Sequence, residues 1–251
     1  MAAKPKTRPA AAGVAAAERA LEVLTAFRTG DDALGLIELS ERTGLVKSTI
    51  LRLVASLEAF NLVVRLPDGR YQIGSEVVRL NSIYQESIDL GRHIQPVLAD
   101  LAHRTGETAT FYVRHGAERL CLYRVSSPST LRVEVQPGMS RPMDGAASAE
   151  ILRLFEKWPE AKPELPALPC YTSGATTPHV ASMSVPIIGQ GNLLVGALSL
   201  VGPDVRLSRD RADALSKTLL DAGATLSATL GGTTTDIYAV PIALASAKQT
   251  A

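Results

Sequence analysis

The sequence predicts an α+β protein of two modest domains joined by a helix, and three observations carry that prediction. Two helical stretches and a tight hairpin follow one another before residue 75. From residue 108 onward, apolar runs of strand length alternate with helical stretches. With 251 residues and 46% hydrophobic content, the chain is long and apolar enough to form two cores.

The first informative segment predicts two short helices separated by a turn. A helix is expected over Ile37–Thr43, and Gly44 stands where the turn needs a residue without a Cβ. The second helix is expected over Lys47–Phe60, because apolar residues recur at helical spacing along it. These apolar residues are Ile50, Leu53, Val54 and Leu57.

The opposite side of the second helix is small, polar and basic. At about 100° per residue, the residues on this side are Ser48, Arg52, Ala55 and Ser56, with Thr49 near the edge. Such a face can enter a major groove about 12 Å wide, where Arg52 could pair with a guanine. Lys47, Ser48 and Thr49 begin the helix, where amides and cations suit phosphate. The alternative is a merely solvated face.

A hairpin with a charged tip follows the second helix. Strands are expected over Leu62–Arg65 and Arg70–Ile73, and the Asp-Gly pair at 68–69 between them is a strong hairpin signal. Arg65 and Arg70 flank the tip and could reach DNA backbone or minor groove; an ordinary surface hairpin is the alternative. Helix, turn, helix and hairpin in this order predict a winged helix-turn-helix, which binds DNA.

The charge balance is mild. The whole chain has 26 Lys and Arg against 25 Asp and Glu. Residues 41–75 hold five basic and three acidic side chains. We therefore expect modest non-specific DNA affinity, and specific binding by a dimer or a larger assembly. The predicted DNA contacts are Arg42, Lys47, Ser48, Thr49, Arg52, Ser56, Arg65 and Arg70.

These motifs, and several in the second half, resemble one family. Arg19–Phe27 (RALEVLTAF), the helix-turn-helix segment and the run DGRYQIG are similar to the DNA-binding half of the isocitrate-lyase-regulator (IclR) family of bacterial transcription factors. The matching segments of the second half are Arg104–Val125, Arg141–Leu152, Ser184–Pro203 and Leu230–Gly232. The resemblance spans roughly residues 14–232 and implies a DNA-binding regulator with a GAF-like effector-binding domain.

The expected domain boundaries follow from these motifs. Residues 1–13 are expected to be a disordered basic arm, 14–77 the winged helix-turn-helix domain and 78–95 a linker helix. Residues 96–232 form the expected effector-binding domain, and 233–251 a tail that carries no motif. The linker either passes movement between domains and packs against a second subunit, as the resemblance implies, or is a passive spacer.

Periodicity predicts the elements of the second domain. A helix over 93–105 precedes a hairpin, and alternating apolar residues predict a strand over Leu131–Val135. A second hairpin turns at Gly189–Asn192, and Ser208 is expected to cap the last helix. The remaining expected ranges are strands Thr108–Arg114, Leu120–Val125, Val180–Ile188 and Leu193–Val201, and helices Ala146–Lys157 and Leu207–Leu230.

The resemblance implies that a small, usually carboxylate-bearing effector lies between the sheet and the loop Met143–Ser148. Small residues there lead into a helix N-terminus, whose free N–H groups favour an anion; alternatively, they only permit close helix–sheet packing. Tyr112, Tyr123 and Tyr171 could shape a site for an aromatic acid or belong to the core. The predicted effector contacts are Met143, Asp144, Ala147, Ser148, Ser182, Ser199 and Tyr123.

Three departures from the family pattern bear on the pocket. Asp144 stands where the family often has a histidine, and a carboxylate there would repel an acidic effector unless it is turned away or protonated. Val201 replaces the second of two strand serines, and Trp158–Pro178 is short and Pro-rich. The pocket is therefore expected to be more open, more apolar or partly lost. A degenerate pocket would leave a regulator that acts through protein partners without a ligand.

Enzyme signals are missing from the sequence. It has no Walker loop, HExxH, GxSxG or dinucleotide fingerprint, and its four histidines and two cysteines lack ligand or nucleophile spacing. We expect no catalysis, no cofactor and no metal. No apolar stretch reaches membrane-spanning length and nothing indicates export, so a reduced cytoplasmic protein is expected.

The function predicted from the sequence is that of a one-component transcriptional regulator. A homodimer, or a dimer of dimers forming a homotetramer, is expected to bind a pseudo-palindromic double-stranded DNA operator. An organic or aromatic acid in the C-terminal domain modulates that binding, and the operator's position relative to the polymerase decides between repression and activation. The other alternative is a winged-helix module that binds proteins, against which the basic side chains of the groove face argue.

Overall fold

The computed structural model describes residues 13–28, 30–87, 90–160, 167–233 and 235–238. The chain divides into two compact units, residues 1–88 and 89–251. Nearly all of the predicted arm and most of the predicted tail lie outside the described residues.

Three helices and a short hairpin form the N-terminal unit, and a fourth helix follows. Their bounds are α1 (Ala15–Thr25), α2 (Leu36–Thr43), α3 (Lys47–Ala59), β1 (Val63–Arg65), β2 (Tyr71–Ile73) and α4 (Glu76–Ser87). The predicted helix-turn-helix and hairpin are confirmed, with ends that differ by one residue. The apolar stripe of α3 enters the core, whose buried members are Val23, Leu34, Leu39, Ile50, Val54, Leu57, Val63 and Tyr71.

A left-handed glycine makes the turn between α2 and α3. Gly44 has φ +73°, a conformation that disfavours residues with a Cβ, and its N–H donates to the Ser40 carbonyl at 2.8 Å. The Ser40 hydroxyl donates to the Leu45 carbonyl at 2.7 Å. Backbone and side-chain hydrogen bonds of Ser40 therefore both hold the turn. The predicted role of Gly44 is therefore confirmed.

The hairpin is fastened to the helices. β1 and β2 pair antiparallel, and Leu34 forms a single β-bridge to Tyr71, since its N–H and carbonyl each bond to Tyr71 at 2.8 Å. Gly74 then lies against the chain that leaves α3, where a Cβ would overlap the carbonyl of Asn61. This contact fixes where the hairpin ends and α4 begins.

An ion pair ties α2 to the loop that precedes it. The Arg42 Nη2 atom donates to Asp31 Oδ1 at 3.0 Å, and Nη1 donates to the Ala26 carbonyl at 2.9 Å. The Arg42 guanidinium, together with the backbone N–H of Arg28, lowers the pKa of Asp31 to about 2. The pair therefore persists at any pH at which the protein is ordinarily handled.

One antiparallel sheet with helices on both faces forms the second unit. The elements are α5 (Leu90–Thr105), β3 (Thr108–His115), β4 (Glu118–Val125), β5 (Ser140–Pro142), α6 (Ala147–Leu154), β6 (Cys170–Ser173), β7 (Val180–Ile188), β8 (Leu194–Pro203), α7 (Arg209–Thr229) and α8 (Thr235–Tyr238). The strand order is β5-β4-β3-β8-β7-β6. The predicted hairpins and long last helix are confirmed, and Ser208 caps that helix by accepting from the Arg211 N–H.

Alternate residues of the central strands face opposite sides of this sheet. On β7, Met183, Val185 and Ile187 are fully buried, and Gly223 of α7 packs directly on Val185. Helices α5 and α7 pack together on this side, whereas α6 crosses the other. Ser182 lies on the α6 side, where the sheet is more polar.

Residues 131–135 do not form the strand that their alternation predicts. The segment is irregular, with Leu131 61% exposed and Val135 buried. The short strand β5, and not this segment, pairs with the outer edge of β4. Side-chain hydrogen bonds hold the segment in place instead. Arg206 donates to the Leu131 carbonyl at 2.9 Å, and Arg124 donates to Glu134 at 3.0 Å.

In the described part of the chain, the predicted linker is divided between α4 and the first residues of α5. α4 ends at Ser87 and α5 begins at Leu90, ahead of the predicted start at residue 93. Ile94 is fully buried in the core of the second unit together with Leu98 and Leu101 of the same helix. Residues 90–95 therefore belong to the second unit, and the linker is shorter than predicted.

A buried ion pair fastens the end of β8 to the start of β3. Arg206 donates to both carboxylate oxygens of Glu107, at 2.5 and 2.7 Å, and to the hydroxyl of Ser129 at 3.0 Å. Glu107 is 2% exposed and lies so close to Gly202 that a Cβ there would overlap its carboxylate. One arginine thus joins two strands and the loop beyond β4.

A short piece of the tail docks on the second unit. Ile237 of α8 is fully buried, and the Tyr238 hydroxyl donates to the Pro186 carbonyl on β7. Gly223 provides the space, since a Cβ there would lie 2.9 Å from that hydroxyl. The second unit therefore extends past the predicted boundary at residue 232.

Replacing Gly74 with Ala should destabilise the N-terminal unit by about 1–3 kcal/mol, because the added methyl must displace the Asn61 backbone. Urea unfolding of the purified chain measures this change. Gly35→Ala is the matched control, since a Cβ there meets only the flexible carboxylate of Glu38, 3.3 Å away. Equal stability of the two variants would contradict the close contact at Gly74.

Replacing Asp31 with Asn should loosen α2 at neutral pH, with an effect that disappears in acid. The pKa of Asp31 is lowered from 3.8 to about 2, so its ionic contribution is complete above pH 4 and is lost as the pH falls toward 2. Hydrogen exchange of the α2 amides in both proteins at matched pH measures the difference. The exposed neighbour substitution Asp32→Asn should leave exchange unchanged, and a pH-independent difference for Asp31→Asn would argue against the ion pair.

Candidate functional site

The outer face of α3 is exposed as the sequence predicts. Ser48, Arg52, Ala55 and Ser56 are all exposed, and Thr49 is half-buried at the edge of the face. The opposite side packs in the core through Ile50, Val54 and Leu57. A polar and basic strip on a helix anchored this way has the shape that a major groove accepts.

The start of α3 is electropositive. Val46 precedes the helix without a side-chain cap, and the first turn has no acidic residue. Lys47 and Ser48 are exposed there, so a cation and a hydroxyl accompany the positive end of the helix dipole. This combination suits a phosphate group.

The three other predicted arginines have different surroundings. The Arg65 guanidinium lies 6.0 Å from the centre of the Tyr71 ring, and that of Arg70 bonds Asp68 through Nε at 2.7 Å. Arg65 and Arg70 are exposed beside the hairpin tip. The Arg42 guanidinium is instead held by Asp31 and the Ala26 carbonyl inside the unit. Because these bonds engage both Nη atoms, we propose a structural role for Arg42.

A cavity of about 510 Å³ opens on the α6 side of the sheet in the second unit. Its floor is formed by β3, β7 and β8, and its walls by the irregular segments 131–135 and 175–179. Three of the predicted effector contacts line it, namely Ser148, Ser182 and Ser199. A cavity of this size lies in the range of small-molecule sites.

Asp144 is turned away from the cavity, which removes the expected repulsion of an acid. Its carboxylate accepts from Arg119 Nη1 at 2.5 Å and from the Ala146 N–H at 3.0 Å. The Ala147 N–H donates to the Thr172 hydroxyl at 3.2 Å. Two amides at the start of α6 are therefore already bonded. Contrary to the prediction, Asp144 and Ala147 do not line the cavity.

Tyr123 lies on the other side of the sheet because a β-bulge shifts its strand. Tyr112 pairs with Cys121, but the preceding Phe111 pairs with Tyr123, so the register slips between them. The bulge turns Tyr123 toward the helix side, where its ring lies 6.4 Å from Phe111. Met143 also misses the cavity and packs against the core.

Several polar residues line the cavity that were not predicted as effector contacts from the sequence. They are Thr110, Arg119, Arg141 and Thr172. Arg119 is 4% exposed. It lies two residues before Cys121 in the same strand, a spacing that places both side chains on one face and could have indicated that Arg119 is buried. The hydroxyls of Thr172 and Ser182 bond at 3.0 Å, and those of Ser184 and Ser199 also bond, so the floor is polar and largely satisfied.

The thiols lack the features of a nucleophile. Burial raises the pKa of Cys121 and of Cys170 to about 12, so both stay protonated at neutral pH. In the described part of the chain, no three His, Cys, Asp or Glu side chains come together in a way that could hold a metal ion. Within that same part, no helix has both the length and the apolar composition needed to cross a membrane.

Comparison with known proteins matches both units. The model of the IclR helix-turn-helix domain matches residues 16–67, and that of the bacterial transcriptional regulator IclR C-terminal domain matches residues 83–177. The glycerol operon regulatory protein of Streptomyces griseus is 28% identical over 244 residues, which cover 85% of this chain and 95% of that protein. The transcriptional regulator KipR of Bacillus subtilis is 21% identical over 228 residues, covering 80% and 91%.

Solved structures share the fold. An IclR transcriptional regulator from Alicyclobacillus acidocaldarius superposes with a TM-score of 0.72 at 22% identity, covering 86% of this chain and 98% of that one. An IclR homologue from Microbacterium hydrocarbonoxydans, complexed with 4-hydroxybenzoate, gives a TM-score of 0.70 at 19% identity, covering 86% and 99%. Both domain models match in order and the fold agrees, so this chain belongs to the IclR family of bacterial transcriptional regulators.

Proposed function

We propose that this regulator binds operator DNA through α3 and the hairpin, and that a small organic acid in the cavity changes that binding. The observation that carries the DNA part is the exposed polar and basic face of α3 beside two exposed hairpin arginines. A purely structural helix has no need of this arrangement. Enzymatic turnover forms no part of the proposal.

Each DNA-facing side chain has a role that follows from its position. Arg52 and Ser56, along the exposed face, are placed to meet base edges. Lys47, Ser48 and Thr49 at the start of the helix suit phosphate, as do Arg65 and Arg70 at the hairpin. Arg42 is left out, since Asp31 holds it.

We propose a dimer or a dimer of dimers as the binding form. The local charge excess is small, so one copy offers few phosphate contacts. Helix α4 has exposed apolar side chains at Val78, Leu80 and Ile83, which a second copy could cover. Two-fold symmetry would then be mirrored in the operator half-sites.

The effector is proposed to be an organic acid, aromatic or aliphatic. A cavity of about 510 Å³ favours a ligand-dependent regulator over one with a degenerate sensor. A structural relative is complexed with 4-hydroxybenzoate, which makes an aromatic acid a reasonable first probe. To matter, the acid must favour one state of the protein by about 1–3 kcal/mol, a typical allosteric coupling.

Replacing Arg52 with Ala should cost about 1–3 kcal/mol of discrimination at one operator base pair, because a forked contact to a base is lost. A mobility-shift titration on the upstream intergenic DNA, with every single-base variant of the site, measures it. Arg104→Ala, which replaces an exposed arginine of the other unit, is the control and should bind like the unmodified chain. A uniform loss on all sequences would instead assign Arg52 to the phosphate backbone.

Replacing Ser199 with Ala should blunt the response to an acid without weakening operator binding, because Ser199 lines the cavity. The Ser184 hydroxyl keeps its bond to the Leu198 carbonyl, so no buried group is stranded. The mobility shift is repeated over a concentration series of aromatic and aliphatic acids. Ser140→Ala, an exposed serine on β5, is the control; an unchanged dose response of Ser199→Ala would remove Ser199 from the ligand contacts.

A further inference from the structure

Two arginines lie directly opposite each other on neighbouring strands at the wall of the cavity. Arg119 of β4 and Arg141 of β5 are register partners, and both line the cavity. Like charges directly opposite one another destabilise a sheet. Such a local rule is usually broken where function requires it.

Arg119 is a buried cation with one anchored end. It is 4% exposed, and its Nη1 atom donates to the Pro142 carbonyl at 2.7 Å and to Asp144. Its Nε atom is buried and has no hydrogen-bond partner. The Asp144 carboxylate therefore balances the charge of Arg119 and orients the guanidinium, while a donor remains unused.

Arg141 has no such balance. Its Nε atom is also buried without a hydrogen-bond partner, and among the described residues it forms no salt bridge. An unpaired cation with a buried donor is costly in a folded protein. Together the two arginines and Asp144 carry one uncompensated positive charge beside the cavity.

Neutral groups and two carboxylates complete the surroundings of the arginine pair. The Tyr112 ring centre lies 5.5 Å from the Arg119 guanidinium, and the Thr110 hydroxyl is buried without a partner. Of the carboxylates that line the cavity, Glu134 bonds Arg124 and lies 3.6 Å from Arg132. Asp204 lies 3.6 Å from His179, an imidazole that carries charge only when it is protonated. Val133, Val135 and Val201 add apolar walls.

We propose that Arg119 and Arg141 bind the carboxylate of a singly charged organic acid, an assignment that rests on the effector-dependent function proposed above. Both guanidinium groups belong to residues that line the cavity, and their planar N–H donors match the two oxygens of a carboxylate. Two arginines against one Asp144 leave one excess positive charge in this cluster, which fits a monoanion. The apolar walls take the body of the acid. The carboxylate then lies at the β4–β5 edge and not at the start of α6.

Calorimetric titration of the full chain tests the assignment. The probes are benzoate, 4-hydroxybenzoate and butanoate, each paired with its neutral carboxamide, and phenyl phosphate as a dianion. The proteins are the unmodified chain, Arg141→Gln, Arg141→Lys and Arg132→Gln, the last a cavity-lining arginine that is 43% exposed and shares Glu134. At least one acid should bind the unmodified chain, and its carboxamide should not.

Arg141→Gln should weaken that acid by about tenfold or more, because a charge-assisted pair is lost, whereas Arg132→Gln should change it less than about twofold. Arg141→Lys should recover part of the affinity. Without ligand, the melting temperature of Arg141→Gln should equal or exceed that of the unmodified chain, since an unpaired cation is removed. A clear fall in melting temperature would indicate a structural role and overturn the assignment.

Other results separate this assignment from the function on which it rests. Absence of binding by every acid, equal binding of a carboxamide, preference for phenyl phosphate, or equal affinity of Arg141→Gln would each overturn the carboxylate site. The same acids are then added to mobility shifts on operator DNA. An acid that binds through Arg141 but leaves operator affinity unchanged would contradict the regulatory function and leave the carboxylate site standing.

Discussion

Antiparallel pairing of β3, β8 and β7 is the constraint on which the second unit depends. Since side chains alternate between faces, each of these strands contributes to two environments at once. On β3, Phe111 is fully buried on the helix side, whereas Thr110 and Tyr112 on either side of it line the cavity. Gly196 on β8 permits this packing, because a Cβ there would contact Phe111. Core and cavity therefore share one register.

The elements that follow from local pattern alone were predictable. The apolar stripe of α3, the turn at Gly44 and the second hairpin have signals confined to a few neighbouring residues, and the structure confirms each of them. The segment Leu131–Val135 carries an equally clear alternation but no strand, because β-structure also needs a neighbouring strand to pair with. Residues 90–95 look like linker locally, and only the core packing of Ile94 places them in the second unit.

The candidate site was less predictable because side-chain partners distant in sequence decide it. From the sequence, the Asp144 carboxylate is expected to repel an acid. In the structure it accepts a hydrogen bond from Arg119, which lies 25 residues earlier. Tyr123 follows the alternation of β4 in sequence and departs from it in space, because a bulge adds a residue between paired positions. Arg42 has the charge of a DNA contact, but Asp31 holds its donors. The residues next to each of these positions in the sequence give no signal for these arrangements.

The ion pair between Glu107 and Arg206 makes three positions depend on one another. Gly202 must lack a side chain because the Glu107 carboxylate occupies that space, and Glu107 is tolerable when buried because Arg206 neutralises it. Substitution at any one of them strands or crowds the other two, so we expect the three to covary among relatives. Arg206 also holds Leu131, whose segment walls the cavity. A lineage that exchanged this set would alter the shape of the cavity without changing a residue that lines it.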